Sequence, residues 1–143
     1  MTKRPSILII DDNHFDVLLA RKIIERSRLF KHVYEVTDGA EALALFHDYE
    51  RSRRNYEDFP PAVILLDINM PLMNGFEFLE AYASLVTTES QRTSIIVMLT
   101  SSSYGDDRRR ALEFPMVKNY IVKPLTPSHI QQLTEVLQSD TAD

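Results

Sequence analysis

The chain predicts a doubly wound α/β domain, a five-stranded parallel sheet with helices on both faces. Three observations carry that prediction. The apolar runs are continuous rather than alternating, as expected of strands buried on both faces of a sheet. Stretches of helical period lie between those runs, which argues βαβ crossovers. The length of 143 residues holds one domain, expected here to span 1–143 with its core over about 6–138 and a frayed tail over 139–143.

The first strand is Ser6–Ile10, running into Asp11-Asp12. Phe15, Leu18, Leu19 and Ile23 mark the helix that follows, with Leu18 read as a core residue. Val33–Val36 is a weaker strand leading to Thr37-Asp38-Gly39, and Ala42, Phe46 and Tyr49 mark the second helix. The stretch from His47 to Pro61 is longer than the fold needs and reads as a helix end continued by a loop. Val63–Leu66 is the third strand, ending at Asp67, and Phe78, Leu79, Tyr82 and Val86 mark the next helix. Polar Thr87–Ser94 reads as a further helix end and loop before Ile95–Leu99, which runs into Thr100. A short, weakly amphipathic helix spans Asp106 to Phe114. Asn119–Val122 then leads into Lys123-Pro124. Thr126 and Pro127 supply an N-cap and a first helical position for the last helix, marked by Ile130, Leu133 and Leu137.

The expected strand order is 2-1-3-4-5, the flavodoxin-like arrangement, which sets the first and third strands side by side at the switch point. Ligands bind in that architecture beyond the carboxyl ends of the strands. Asp11, Asp12 and Asp67 would therefore meet there, with Thr100 and Lys123 presented from one side. Two unit charges about 5 Å apart repel by roughly 3 kcal/mol at an effective dielectric near 20. Three carboxylates held together thus call for a cation or for protonation. An all-oxygen set without His or Cys favours a hard ion, Mg²⁺ with Mn²⁺ as a possible substitute. His14, beside the acidic pair, reads as a surface residue because such an ion has little use for imidazole. Carboxylates, a hydroxyl and an ammonium around a metal suggest phosphoryl transfer. Each residue also has a plain use: Asp11 or Asp12 as a helix cap, Asp67 in a turn, Lys123 at the surface. Their placement at four strand ends in the right order favours the joint reading.

Composition narrows the function further. The net charge is −5, from 21 acidic and 16 basic residues, whereas nucleic-acid binders usually carry a basic excess. The arginine clusters at 51–54 and 108–110 read as solvated faces. No apolar run approaches the roughly 20 residues that span a bilayer, and no signal-peptide core is present. With no cysteine there is no disulfide framework, and a cytoplasmic protein is expected. Only three glycines occur, at 39, 75 and 105, and no glycine-rich loop cradles a phosphate, which argues against a nucleotide or flavin binder.

The motifs Asp11-Asp12, Asp67 to Gly75 (with Asn69, Pro71 and Gly75), Leu99-Thr100-Ser101 and Tyr120 to Pro124 together resemble the receiver domain of two-component response regulators, the CheY-like group. The resemblance covers about residues 6–138. It implies that Asp67 is the phosphoacceptor, with Thr100 and Lys123 contacting the phosphoryl oxygens. It implies Mg²⁺ held by Asp12 and Asp67 directly, by Asp11 mostly through water and by the Asn69 backbone carbonyl. It also implies a cis Lys123–Pro124 bond, a glycine at 75 that permits an unusual backbone, and a switch in which Thr100 and Tyr120 move together.

The implied partners are a sensor histidine kinase, a hybrid kinase or a histidine phosphotransfer protein, and a downstream protein target. Neither nucleic acid nor membrane is expected as a partner, and the chain is expected as a monomer or weak homodimer. Phe15, Leu18 and Leu125 are candidates for an apolar ring around the site that meets the phosphodonor, although Leu18 reads first as core. Asn69 and Ser102 sit where the family tunes phosphoryl lifetime. No output domain follows the last predicted helix, so the signal is expected to leave by surface contact or by passing the phosphate on. The stand-alone form and the long 46–61 segment look like regulators paired with phytochrome-type or hybrid kinases. The chain is not expected to be an enzyme beyond its own phosphorylation and dephosphorylation. Two rival readings are a receiver fold that works without phosphorylation and an aspartyl-nucleophile phosphatase. Retention of the acidic residues, Thr100 and Lys123 opposes the first. The second would place Asp-x-Asp after the first strand, where this chain has adjacent Asp11-Asp12.

Overall fold

The computed structural model describes residues 4–86 and 94–141. Five parallel strands, β1 (Ser6–Ile10), β2 (His32–Val36), β3 (Val63–Leu66), β4 (Ile95–Thr100) and β5 (Val117–Val122), form one sheet in the order β2-β1-β3-β4-β5. Among the described residues six helices connect or follow them: α1 (His14–Ser27), α2 (Gly39–His47), α3 (Tyr49–Asn55), α4 (Gly75–Leu85), α5 (Gly105–Leu112) and α6 (Pro127–Thr141). This is the flavodoxin-like arrangement expected from the sequence.

Successive side chains of a strand point to opposite faces, and the core divides accordingly. Leu8, Ile10, Ile64, Leu66, Ile96 and Met98 pack with α2, α4 and α5 through Phe46, Phe76, Phe78 and Ala111. Ile7, Ile9, Val63, Leu65, Val97 and Leu99 pack with α1 and α6 through Val17, Ala20, Ile24, Ile130 and Leu133. Every residue of β1, β3 and β4 is buried, which explains their unbroken apolar runs. The edge strands β2 and β5 carry exposed positions, which is why their sequence signal is weaker. Both also extend past the predicted bounds, β2 by His32 and β5 by Val117 and Lys118.

Three expectations need correction. Leu18 and Leu19 are 42% and 43% exposed and Phe15 is 66% exposed, so the apolar stripe read from them is not the buried face of α1. The core face is Val17, Ala20 and Ile24, which the larger side chains masked. The helical part of the stretch after His47 is a separate helix, α3 (Tyr49–Asn55), rather than a continuation of α2, and the expected loop follows it. Asp48 ends α2 with φ −103° and ψ 57°, and Ser52 Oγ donates to Leu45 O at 2.7 Å, folding the new turn back on the old. The tail expected from Ser139 is helical to Thr141. The loop expected at 87–93 lies outside the described residues.

Helix starts fix the chain beyond the strand ends. Asn13 caps α1, its side chain accepting from Asp16 N at 3.0 Å, so the cap is neither Asp11 nor Asp12. Asn74 and Glu77 form a capping box on α4, each side chain bonding the other's backbone N–H at 2.9 Å. Thr126 Oγ1 accepts from His129 N at 3.3 Å at the start of α6, as its sequence position predicts.

Candidate functional site

β1, β3, β4 and β5 deliver Asp11, Asp67, Thr100 and Lys123 to one end of the sheet. Asp67 N donates to Ile10 O at 3.1 Å, and Lys123 N donates to Thr100 O at 2.8 Å, so the sheet hydrogen bonding continues to these candidate residues. Asp11, Asp67 and Thr100 are buried, while Asp12 and Asn69 are exposed at the rim. Carboxylate oxygens of Asp11, Asp12 and Asp67 lie within 4.8 Å of one another. Asp67 Oδ1 is buried and has no hydrogen-bond partner among the described residues. A buried carboxylate oxygen left unpaired is costly, and a cation at this point would satisfy it. The donor set is all oxygen, with no nitrogen or sulfur ligand, which fits a hard divalent ion.

The Lys123 ammonium lies 2.8 Å from Asp11 Oδ2, 2.8 Å from Asp16 Oδ2 and 3.6 Å from Asp67 Oδ2. Burial alone would lower its pKa. The hydrogen bonds to Asp11 and Asp16 and the charges of Asp67 and Asp11 outweigh that and push it up to about 12. Burial raises the Asp11 carboxyl above its ordinary value, against the lowering pull of Lys123 and the Asn13 backbone N–H. Three carboxylates (Asp11, Asp16 and Asp67) thus surround one ammonium, with Asp12 at the rim of the same cluster.

Gly75 sits against the Asp67 backbone. A Cβ built there would lie 2.5 Å from Asp67 O and 2.9 Å from Ile68 Cα. Its N–H donates to Ile68 O at 2.8 Å, docking the start of α4 directly behind the acidic residue. The expectation that this glycine supplies an unusual backbone conformation is wrong. No described glycine has positive φ; that conformation falls to Leu72, at φ 70°. Glycine is required at 75 for closeness. Leu72 is also 99% exposed beside the site, an apolar residue the sequence reading missed for lack of any periodic signal in a turn.

Thr100 Oγ1 accepts from Ser102 N at 3.4 Å, and the Tyr120 hydroxyl donates to Ser102 O at 2.9 Å. Ser102 Oγ in turn donates to Asp107 Oδ2 at 2.7 Å in the first turn of α5. Tyr120 is buried, with its ring turned inward and the Arg108 guanidinium 5.8 Å from its centroid. Burial raises its phenol pKa. Ser102 therefore touches both expected switch residues through its backbone and α5 through its side chain. The Lys123–Pro124 bond is cis.

Leu125 is buried in the α1/α6 core and does not join Phe15 and Leu18 at the surface. His14 is exposed at the first position of α1. The residue most clearly missed is Asp16. Its contact with Lys123 spans 107 positions of sequence, and only the fold brings the two together.

The sequence model of the response regulator receiver domain matches residues 7–135. A probable methanogenesis regulatory protein, FilR2, from Methanothrix harundinacea is 29% identical over 92% of this chain and 80% of its own. The chemotaxis protein CheY of Halobacterium salinarum is 27% identical, with 92% and 95% covered. The sensor protein GacS of Pseudomonas syringae is 26% identical over 92% of this chain but only 13% of its own length. Among solved structures, a two-component response regulator from Cytophaga hutchinsonii superposes with a TM-score of 0.82 at 28% identity, covering 96% of this chain and 99% of that one. The bacteriophytochrome response regulator RtBRR gives 0.72 at 34% identity, covering 94% and 78%. The Mn²⁺-bound form of response regulator Rcp1 gives 0.65 at 26% identity, covering 94% and 92%. With a match of this extent on a sheet of the expected order and an acidic pocket at its carboxyl end, the chain belongs to the response regulator receiver domain family.

Proposed function

We propose that this domain accepts a phosphoryl group on Asp67 from a phosphohistidine donor and signals through the Thr100–Ser102–Tyr120 connection. The observation that carries the reading is the Asp67 carboxylate, buried in an acidic pocket with Oδ1 unpaired and Oδ2 3.6 Å from the Lys123 ammonium. In the transfer, an Asp67 oxygen attacks phosphorus and the P–O bond forms as the donor P–N bond breaks. The electron pair returns to the imidazole nitrogen, which leaves neutral if its other nitrogen carries a proton. Asp12 and Asp67 would hold Mg²⁺ directly, Asp11 through water and Asn69 by its backbone carbonyl; Mn²⁺ would substitute, and the Mn²⁺-bound Rcp1 structure supports this. The chemistry such an ion supplies is positive charge against the oxygens of the transferring group. Lys123 would meet one of those oxygens, and Thr100 would donate its hydroxyl to another.

In the proposed switch Thr100 Oγ1 turns from Ser102 N toward the phosphoryl group. The same Ser102 backbone accepts from Tyr120, so the movement reaches the β5 and α5 surface. The domain acts only on itself, catalysing its own phosphorylation and hydrolysis. The donors we propose are a sensor histidine kinase, a hybrid kinase or a histidine phosphotransfer protein; matching segments within hybrid signal transduction histidine kinases of Dictyostelium discoideum support that class. The reader is a downstream protein, and the chain works in the cytoplasm as a monomer or weak homodimer. Among the described residues, no helix is long and apolar enough to cross a membrane.

A Tyr120→Ala variant tests the switch. It should accept phosphate from acetyl phosphate at the wild-type rate and lose the difference in partner affinity between free and beryllofluoride-treated forms. Retention of that difference would remove Tyr120 from the switch.

A further inference from the structure

The Lys123 ammonium has three N–H donors. Two are taken by Asp11 and Asp16, at 2.8 Å each, leaving one toward Asp67 Oδ2 at 3.6 Å. Asp16 belongs to α1, and its place is fixed. Its backbone N–H donates to Asn13 Oδ1 at 3.0 Å, and Asn13 N donates to Asp11 Oδ1 at 2.9 Å. Asp11, Asn13, Asp16 and Lys123 therefore close a ring of four hydrogen bonds joining the end of β1, the first turn of α1 and the end of β5. From this ring we infer that Asp16 is a positioning residue for phosphoryl transfer, tethering the Lys123 ammonium so that its free N–H stays aimed at Asp67.

The stem of a lysine has four methylenes and many rotamers, and nothing in the residue itself directs its charge. Asp11 cannot hold the ammonium alone through the reaction, because its carboxylate is also shared with the acidic cluster around Asp67. Asp16 lies outside that cluster, keeps its grip when Asp11 is engaged elsewhere, and is set on a capped helix rather than a loop. Its carboxylate comes from α1 and that of Asp11 from the end of β1, so the two bonds fix Lys123 from separate elements. A charge-assisted pair of this length is shorter and stronger than a neutral hydrogen bond, and Lys123 is only 12% exposed. The inference rests on the phosphoacceptor reading, which it extends to a residue of α1.

Asp16→Ala, Asp16→Asn and Asp16→Glu variants of the full chain test the tether. Nitrogen-15 relaxation of the Lys123 ammonium should show a rigid group in wild type and Asp16→Glu, and a mobile one in Asp16→Ala. Phosphorylation by acetyl phosphate, followed by intact mass, should slow about tenfold in Asp16→Ala at saturating donor. It should slow less in Asp16→Asn, which keeps an acceptor oxygen without the charge, and recover in Asp16→Glu. An unchanged ammonium order parameter in Asp16→Ala overturns the inference. So does a rate equal to or faster than wild type, which would make Asp16 a bystander or a competitor for the lysine. Wild-type protein that takes no phosphoryl group would instead sink the phosphoacceptor reading, while the relaxation arm still reports on the tether.

Discussion

Replacing Gly75 with alanine puts the packing behind Asp67 to its hardest test. The added Cβ would lie 2.5 Å from Asp67 O and 2.9 Å from Ile68 Cα, both backbone atoms that cannot rotate away. Ordinary contact begins at 3.4 Å, so helix and loop must separate by about 0.9 Å. That movement strains the 2.8 Å bond from Gly75 N to Ile68 O, worth about 1 kcal/mol net. Overpacking adds about 1–3 kcal/mol, and the better helix propensity of alanine returns at most about 1. A loss of roughly 2–3 kcal/mol follows, or a fall in Tm of the order of 5–10 °C for a domain of this size. Urea and thermal unfolding followed by circular dichroism would measure it. Acetyl phosphate labelling of the folded variant should also slow, because Asp67 is what the loop carries. A variant as stable as wild type would refute the claim that Gly75 is there for closeness.

Lys123 gives a pH prediction. Its folded pKa is raised from 10.5 to about 12, so its contribution is complete below pH 10.5 and disappears as pH rises toward 12. The loss is about 2 kcal/mol. A Lys123→Met protein should lack that part of the alkaline slope in urea unfolding; equal slopes would contradict it. Tyr120→Phe removes the donor to Ser102 O and should cost about 1 kcal/mol, read by thermal unfolding, with no loss indicating that solvent replaces the hydroxyl. Phe15→Ser and Leu18→Ser should leave stability within about 0.5 kcal/mol, as surface changes usually do. Phosphotransfer from a phosphorylated kinase domain should fall while labelling by acetyl phosphate does not. A large loss of stability would restore the core role that their exposure denies.

The sheet was legible because its central strands are buried on both sides and read as unbroken apolar runs. Asp11, Asp67, Thr100 and Lys123 were legible because each stands immediately after or at the end of such a run. Asp16 was not, since its partner is 107 positions away and an acidic residue in a first helical turn has an ordinary explanation in the helix dipole. The face of α1 was misread because Phe15, Leu18 and Leu19 share the helical period with smaller Val17 and Ala20, and period alone does not say which stripe meets the sheet. That Tyr49–Asn55 is a helix of its own rather than the end of α2 escaped because it is short and polar, with Ser52 its one buried side chain. Gly75 was located correctly and explained wrongly, since a sequence shows a glycine without showing the backbone pressed against it.

Incubation with Mg²⁺ and acetyl phosphate, read by intact mass spectrometry on wild type and an Asp67→Asn variant, bears most directly on the acidic pocket. Wild type should gain a single phosphoryl group that is lost on removal of Mg²⁺ from the labelling mixture beforehand, and Asp67→Asn should gain none. Equal labelling of the two proteins, or no labelling of wild type, would contradict Asp67 as the phosphoacceptor.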